Sequence, residues 1–291
     1  MVRFSLYGKM KKILFTTAYT NHSKEAFRYA QQLAYHFGAS ITVVHVYPSL
    51  SPIFISNGEL TEYEDSYPSE ASADHQWQEQ VLHLQAFVEE LTLEQFQDIE
   101  IDYIATDGDV VEQLLEIQQT NQFDLVIMGM RRHNRLGRLF GNTTYAMIDQ
   151  VDCPLLLIPP DTHFMGIEKM IYATAFELGE VRSIDWLLDW CLAFDSRLHI
   201  LHITSKEEHG NAMRNMVTMM EHFQKENEAE IINFQILDGK VADLVKTYTS
   251  KQHADLLTVH HRKRGFWQRL KEASLTKQLS EDLKVPLLVL K

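Results

Sequence analysis

The sequence predicts an α/β protein built as two tandem sandwiches, each a five-stranded parallel sheet with helices on both faces. Three observations carry that reading: the chain is written twice, strand-length apolar runs alternate with helically spaced ones, and 291 residues exceed what one domain usually needs. Lys12-Ile-Leu-Phe-Thr-Thr-Ala-Tyr19 is matched 157 residues later by Lys169-Met-Ile-Tyr-Ala-Thr-Ala-Phe176, and Val43–Val46 by Ile200–Ile203 at the same offset. Asp107-Gly108 then meets Asp238-Gly239, and Asp124 meets Asp255, at an offset of 131; Val151-Asp-Cys-Pro154 meets Leu283-Lys-Val-Pro286 at 132. The drop from 157 to 131 leaves the first copy 26 residues longer between these blocks. A register so nearly constant marks a tandem duplication, with domains at residues 11–160 and 161–291 and the join near Pro159-Pro160-Asp161.

Each copy alternates strand and helix. In the first, Ile13–Thr17 is an apolar run of the kind that forms a strand buried on both faces. Ala26, Ala30, Leu33, Ala34 and Phe37 follow at helical spacing, and Gly38 ends that helix. Ile41–Val46 reads as strand, Trp77 to Leu91 as a longer helix, Ile99–Ile104 as strand and Val110–Ile117 as helix. Leu125–Met128 is the fourth strand, Asn142–Asp149 a helix and Leu155–Ile158 the last strand. The second copy repeats the order: Met170–Thr174, Val181–Phe194, Leu198–Ile203, Met213–Lys225, Ile231–Ile236, Val241–Thr249, Leu256–Val259, Leu270–Leu283 and Leu287–Leu290. Such alternation implies right-handed crossovers and parallel sheets. The extra segment, about 48–75, contains Pro48, Pro52, Pro68 and the acidic stretch Glu59–Asp65, and reads as a surface insertion.

Composition narrows the function. A net charge of −13 argues against nucleic acid or an anionic membrane as the main partner. Two cysteines, Cys153 and Cys191, make no disulfide framework, which points to a reducing cytoplasm. Residues 1–10 read as an extension without a targeting segment, and no apolar run reaches spanning length. Fourteen histidines raise the question of metal, yet His199 and His202 face opposite sides of one strand and no His-Glu-x-x-His occurs. His45 and His202 fall at equivalent positions, as expected of histidines satisfied within the sheet. Cys153, before a proline and an apolar strand, reads as a buried inert thiol, and Met213, Met216, Met219 and Met220 as a packing stripe.

In an open parallel sheet a ligand binds outside the carboxyl ends of the strands, where strand order reverses, so the loops after the first and fourth strands are the candidates. After the fourth strand of copy one come Gly129, Arg131, Arg132, Arg135, Arg138, then Gly141-Asn142-Thr143-Thr144. Glycine lets backbone N–H groups approach an anion, and a helix starting after Gly141 presents free N–H groups and partial positive charge. Asn and Thr there can bond phosphate oxygens. Gly129, Arg132, Gly141, Asn142, Thr143 and Thr144 are therefore the candidate phosphate loop, although no Gly-Lys-Ser/Thr accompanies them. Copy two keeps the charge in Arg262, Lys263, Arg264, Arg269 and Lys271.

From Lys12 to Leu290 the pattern resembles the universal stress protein family in its tandem form. The resemblance is carried by Lys12-Ile-Leu, Val44-His45-Val46, Gly108, Asp124-Leu-Val-Ile-Met-Gly129, Gly141-Asn-Thr and Cys153-Pro154-Leu-Leu-Leu. Copy two has Leu201-His202-Ile203, Gly239, Asp255-Leu-Leu and Val285-Pro286-Leu-Leu-Val. The resemblance implies an adenine nucleotide alpha hydrolase-like, Rossmann-like fold. ATP-binding members carry Gly-x-x-Gly, a spacer, then Gly-Ser/Thr, and an aspartate ending the first strand that reads adenine. Here Arg132 replaces the second glycine, Asn142 the serine, and Ala18 the aspartate; in copy two His260, Lys263 and Ala273 replace the three glycines, Ser274 remains, and Ala175 stands at the aspartate. A methyl cannot accept the adenine amino hydrogen, and discrimination falls when such a bond is lost.

The resemblance implies a non-enzymatic, cytoplasmic protein of the stress response with no catalytic or metal-binding residues and no obligatory cofactor. Nucleotide or anion binding is expected to be at most weak and confined to the first domain. The alternatives are an ATP- or AMP-binding module using that domain, with slow ATP hydrolysis, and a metal- or small-ligand sensor on the same scaffold. The expected partner is an unidentified protein or a small anionic ligand, not nucleic acid or membrane. Leu155–Ile158 and Leu287–Leu290 are the edges expected to join the two copies as an intramolecular pseudo-dimer, with a homodimer as the further arrangement.

Overall fold

Strands whose residues are apolar on both faces must be covered on both, and the chain solves this with one large sheet between two helical layers. A computed structural model describes residues 10–48, 53–56, 59–62, 70–130, 141–174, 176, 180–224, 230–260 and 283–291. The first half contributes β1 (Lys12–Thr16), α1 (Asn21–Phe37), β2 (Ser40–Tyr47), β3 (Ile53–Ser56), β4 (Glu59–Glu62), α2 (Glu70–Leu91), β5 (Ile101–Asp107), α3 (Val110–Asn121), β6 (Leu125–Gly129), α4 (Asn142–Gln150) and β7 (Leu155–Ile158). The second contributes β8 (Lys169–Thr174), α5 (Val181–Phe194), β9 (Arg197–Thr204), α6 (His209–Gln224), β10 (Ile232–Asp238), α7 (Val241–Lys251), β11 (Leu256–His260) and β12 (Leu287–Leu290). The predicted helix Leu270–Leu283 falls, apart from Leu283, outside the described residues.

The main sheet runs β10-β9-β8-β11-β12-β7-β6-β1-β2-β5. Every neighbouring pair is parallel except the central one, where β12 meets β7 antiparallel with Leu287 opposite Leu157 and Val289 opposite Leu155. The two last strands thus cover each other and are fully buried, which removes an exposed edge from each half.

Alternation along the strands feeds two cores. Ile13 and Phe15 join Phe27, Leu33, Trp186, Trp190 and Phe223 on the face covered by α1, α2, α5 and α6. Leu14 turns the other way, toward Leu114, Met147, Ile148 and Val245 beneath α3, α4 and α7. The halves also meet through α1 and α5: the Phe37 and Trp190 rings lie 5.4 Å apart and those of His36 and Phe194 4.4 Å apart. The connecting segment is tied down too, because the Tyr29 hydroxyl donates to the His163 carbonyl at 3.2 Å.

Two repeated devices set the register. The Asp124 carboxylate accepts the backbone N–H groups of Lys11 and Lys12 at 2.8 and 2.9 Å, and Asp255 accepts those of Glu168 and Lys169, both at 2.9 Å. Gly108 and Gly239 end β5 and β10 at φ 125° and 147°, where a side chain would be strained.

The insertion about 48–75 is not irregular throughout. β3 and β4 pair antiparallel, with Phe54 opposite Thr61, and α2 already opens at Glu70.

Candidate functional site

Strand order reverses between β1 and β6 and again between β8 and β11, so each half has one crevice at the carboxyl ends of its strands. In the first half the chain leaves β1 through Thr17-Ala18-Tyr19 and enters α1, whose cap Thr20 accepts the Ser23 N–H at 3.2 Å. Thr17 Oγ1 accepts the Tyr19 N–H at 3.0 Å and holds Tyr19 in the left-handed region, at φ 55°. That conformation is uncommon for a bulky residue and stores strain. It lays the Tyr19 ring on His45, with centroids 4.3 Å apart, while His83 and Phe87 approach at 6.4 and 5.7 Å. His45 Nδ1 donates to the Thr17 carbonyl at 2.9 Å. Burial lowers the His45 pKa, the Thr17 bond opposes that, and nearby His83 adds to the lowering. Burial also pushes the Tyr19 hydroxyl up to about 12, so it is neutral at physiological pH.

The second half builds the same turn from Thr174, Phe176 and His202. Thr174 Oγ1 accepts the Phe176 N–H at 2.8 Å, Phe176 sits at φ 56°, its ring stacks on His202 at 4.8 Å, and His202 Nδ1 bonds the Thr174 carbonyl at 2.8 Å. One position departs. Ser23, which receives the Ala18 N–H at 3.2 Å, corresponds at the 157 offset to Glu180, 2% exposed, whose carboxyl bonds the Thr174 hydroxyl. Sequence reasoning singled out neither the strained aromatic nor Glu180. The first was visible as Ala-Tyr19 over Ala-Phe176, and the second as a carboxylate at a helix start where the other copy has serine.

The fit of an adenine group can be tested here. Ala18 is exposed and presents only a methyl and an N–H already committed to Ser23, while the neighbouring Tyr19 ring packs at a tilt against His45. No side-chain acceptor stands at position 18 to read an amino group, so the family's adenine contact does not fit; Ala175 lies outside the described residues.

The fourth-strand side is divided. Gly129 ends β6, and a Cβ built there would lie 2.8 Å from the His22 carbonyl oxygen and 3.4 Å from the Ala26 Cβ. Close packing of the first turn of α1 therefore demands glycine, whatever else it does. Arg132 and the rest of 131–140 lie outside the described residues, as do the basic loop and Ser274 of the second half. Gly141 caps α4 without any side-chain bond; Asn142 is exposed, Thr143 half-buried and Thr144 buried. The first N–H groups of α4 thus receive no acceptor from their cap residue, the arrangement that suits an anion.

Cys153 and Cys191 are buried, and burial pushes their thiols to about 12 and 11, so neither is a thiolate nucleophile at neutral pH. Met219 is buried and Met216 packs on the core, whereas Met213 is exposed. Among the described residues no group of three or more His, Cys, Asp or Glu is placed to hold a metal ion, and no described helix is long and apolar enough to cross a membrane.

The model of the universal stress protein family matches residues 9–159. No curated protein sequence matches the chain. A universal stress protein from Archaeoglobus fulgidus superposes with a TM-score of 0.71 at 15% identity, over 96% of this chain and 98% of its own. A protein from Pseudomonas aeruginosa named for the same family gives 0.65 at 15% identity, over 97% and 93%. At such identity the likeness is one of fold, and it extends over both halves.

Proposed function

Because the chain belongs to the universal stress protein family, we propose that it is a non-enzymatic tandem member acting in the cytoplasmic stress response, with its two domains at 11–160 and 161–291. The observation that carries this reading is the strand-end turn present in both halves. Tyr19 packs on His45 and Phe176 stacks on His202, positions 18 and 175 beside them are alanines that offer an adenine no side-chain acceptor, and each histidine is spent on a threonine carbonyl. Such binding as occurs is weak and uses Gly129, Arg132, Gly141, Asn142, Thr143 and Thr144 of the first domain; the partner is a protein or a small anion.

A thermal-shift series with ATP, AMP and EDTA tests this. No shift is expected from any of them. The second reading, an ATP- or AMP-binding module in the first domain, is favoured by the uncapped start of α4 at Gly141. It replaces the first if ATP raises the melting temperature and Gly141→Asp abolishes the rise. Destabilisation by the chelator alone would overturn both in favour of a metal-dependent sensor. A strain lacking the protein is expected to grow normally but survive stress less well; equal survival would sink the stress assignment.

A further inference from the structure

The central join removes two sheet edges, but two others stay open: β5 in the first half and β10 in the second, and among the described residues no strand lies beyond either. An open edge carries a row of unpaired backbone N–H and C=O groups, which proteins blunt with charge or cover with another strand. On β10 that row can be assigned. The Leu198 N–H donates to the Ile231 carbonyl and the Gly239 N–H to the Thr204 carbonyl, so the odd-numbered residues turn their backbone groups toward β9. Successive residues of a strand alternate, and Ile232, Phe234 and Ile236 therefore turn theirs outward.

The two edges differ in charge. At the offset of 131, Glu100 and Asp102 of the first half become Ile231 and Asn233. From 231 to 237 the second half has no charged residue and reads Ile-Ile-Asn-Phe-Gln-Ile-Leu, the same order of side-chain types in either direction. An antiparallel copy centred on Phe234 sets Ile231 against Leu237, Ile232 against Ile236, Asn233 against Gln235 and Phe234 against its own equivalent. Matched pairs of this kind stabilise neighbouring strands. Phe234 and Ile236 are only partly buried and Asn233 is exposed, which leaves them surface to pair with. The same operation on β5 would face Asp102 with Ile104 and Glu100 with Thr106. Just beyond the matched residues Glu230 would meet Asp238, which is already bonded to His209 at 2.7 Å, so like charge bounds the pairing at both ends. On α6, which packs against β10, Met213 and Val217 are exposed one turn apart, and a two-fold axis at Phe234 brings two such helices onto one face of the sheet. The chain already joins strands this way at its centre, where β12 meets β7 antiparallel with leucine opposite leucine.

We infer that a second copy of this chain pairs here, β10 against β10 in antiparallel register about a two-fold axis at Phe234, so that one sheet runs through both molecules. Sedimentation equilibrium of the full chain over a wide concentration series tests it, and a reversible dimer is expected. Asn233→Lys with Gln235→Lys opposes lysines across the axis and weakens association roughly tenfold or more, the scale expected for apposed like charges. Asn233→Lys with Gln235→Glu opposes lysine to glutamate in this register alone and restores association. Asn233→Asp puts the first half's charge at an exposed position, so it keeps the fold, weakens association too, and decides if the double variants fail to fold. Amide hydrogen exchange reads the same pairing residue by residue. The N–H groups of 232, 234 and 236 slow as concentration rises, while those of 233 and 235, which face β9, are slow throughout. A monomer at every concentration overturns the inference and leaves the edge to an unlike strand. So does a dimer indifferent to the paired lysines, one that the glutamate does not restore, or exchange at 232, 234 and 236 that ignores concentration. None of these results depends on nucleotide binding or on survival under stress.

Discussion

Thr17, Tyr19 and His45 in the first half and Thr174, Phe176 and His202 in the second make one turn twice, down to left-handed aromatics at φ 55° and 56°. Around that turn the halves part: Ser23 faces Glu180 and Gly129 faces His260 across the repeat, and at the other end of the sheet Phe123 faces Ala254. The duplication has kept its solutions to backbone problems, namely how to leave a strand, clamp a register and end a helix. It has rewritten the side chains that a ligand would touch. The two crevices therefore have different side chains on the same frame, and each residue pair is an internal control for its partner.

The largest effect should come from the join. Trp190 of α5 stands where α1 has Leu33, and its ring meets Phe37 of the other half at 5.4 Å. Trp190→Ala should cost ~3–5 kcal/mol, the usual loss for a buried aromatic. Because that ring belongs to a core shared by both halves, urea unfolding should remain one transition at a lower midpoint with unchanged slope. Two resolved transitions would break the picture of halves stabilised by each other.

The sequence made much of this legible, for identifiable reasons. Offsets of 157 and 131 between short motifs revealed the repeat, and the apolar runs Leu155–Ile158 and Leu287–Leu290 announced the strands that pair at the centre. The aspartates at 124 and 255 were visible as landmarks, but their task was not, since clamping a strand more than eighty residues away leaves no local trace. The αL conformation of Tyr19 was hidden because local propensity opposes it and tertiary packing against His45 overrides that propensity. Gly129 invited a phosphate reading, whereas its closest demand comes from the His22 carbonyl, a contact made only once α1 packs on β6.

That glycine gives the middle-sized test. Gly129→Ala should cost ~1–3 kcal/mol, the range for forcing atoms into a filled space, because the new Cβ would lie 2.8 Å from a backbone oxygen that cannot swing aside. His260 holds the same position in the second half, so the frame there already accepts a side chain. His260→Gly relieves no clash and should lose at least about 0.5–1 kcal/mol, through added backbone freedom in the unfolded chain together with the contacts of a half-buried side chain. Urea midpoints of the two variants measure the difference. A neutral Gly129→Ala would mean that α1 yields at His22, and the glycine would then need another explanation at the crevice.

The smallest effect isolates a single capping residue. Asp109 starts α3 at φ −74°, ψ 129°, and its Oδ1 accepts the Val111 and Glu112 N–H groups at 3.0 and 3.1 Å. Lys240 starts α7 at φ −79°, ψ 126°, almost the same geometry, with no side-chain bond to the helix and a positive charge at the wrong end of its dipole. An acidic residue follows three positions later in both cases, Glu112 and Asp243, so local repulsion is matched. Asp109→Ala should therefore lose about 1 kcal/mol and Lys240→Asp gain about as much, within the usual range for N-caps. Equilibrium urea unfolding resolves changes of that size. If Lys240→Asp brought no gain while Asp109→Ala cost the expected amount, the second helix would be held by its packing alone, and equal backbone angles would not imply equal capping.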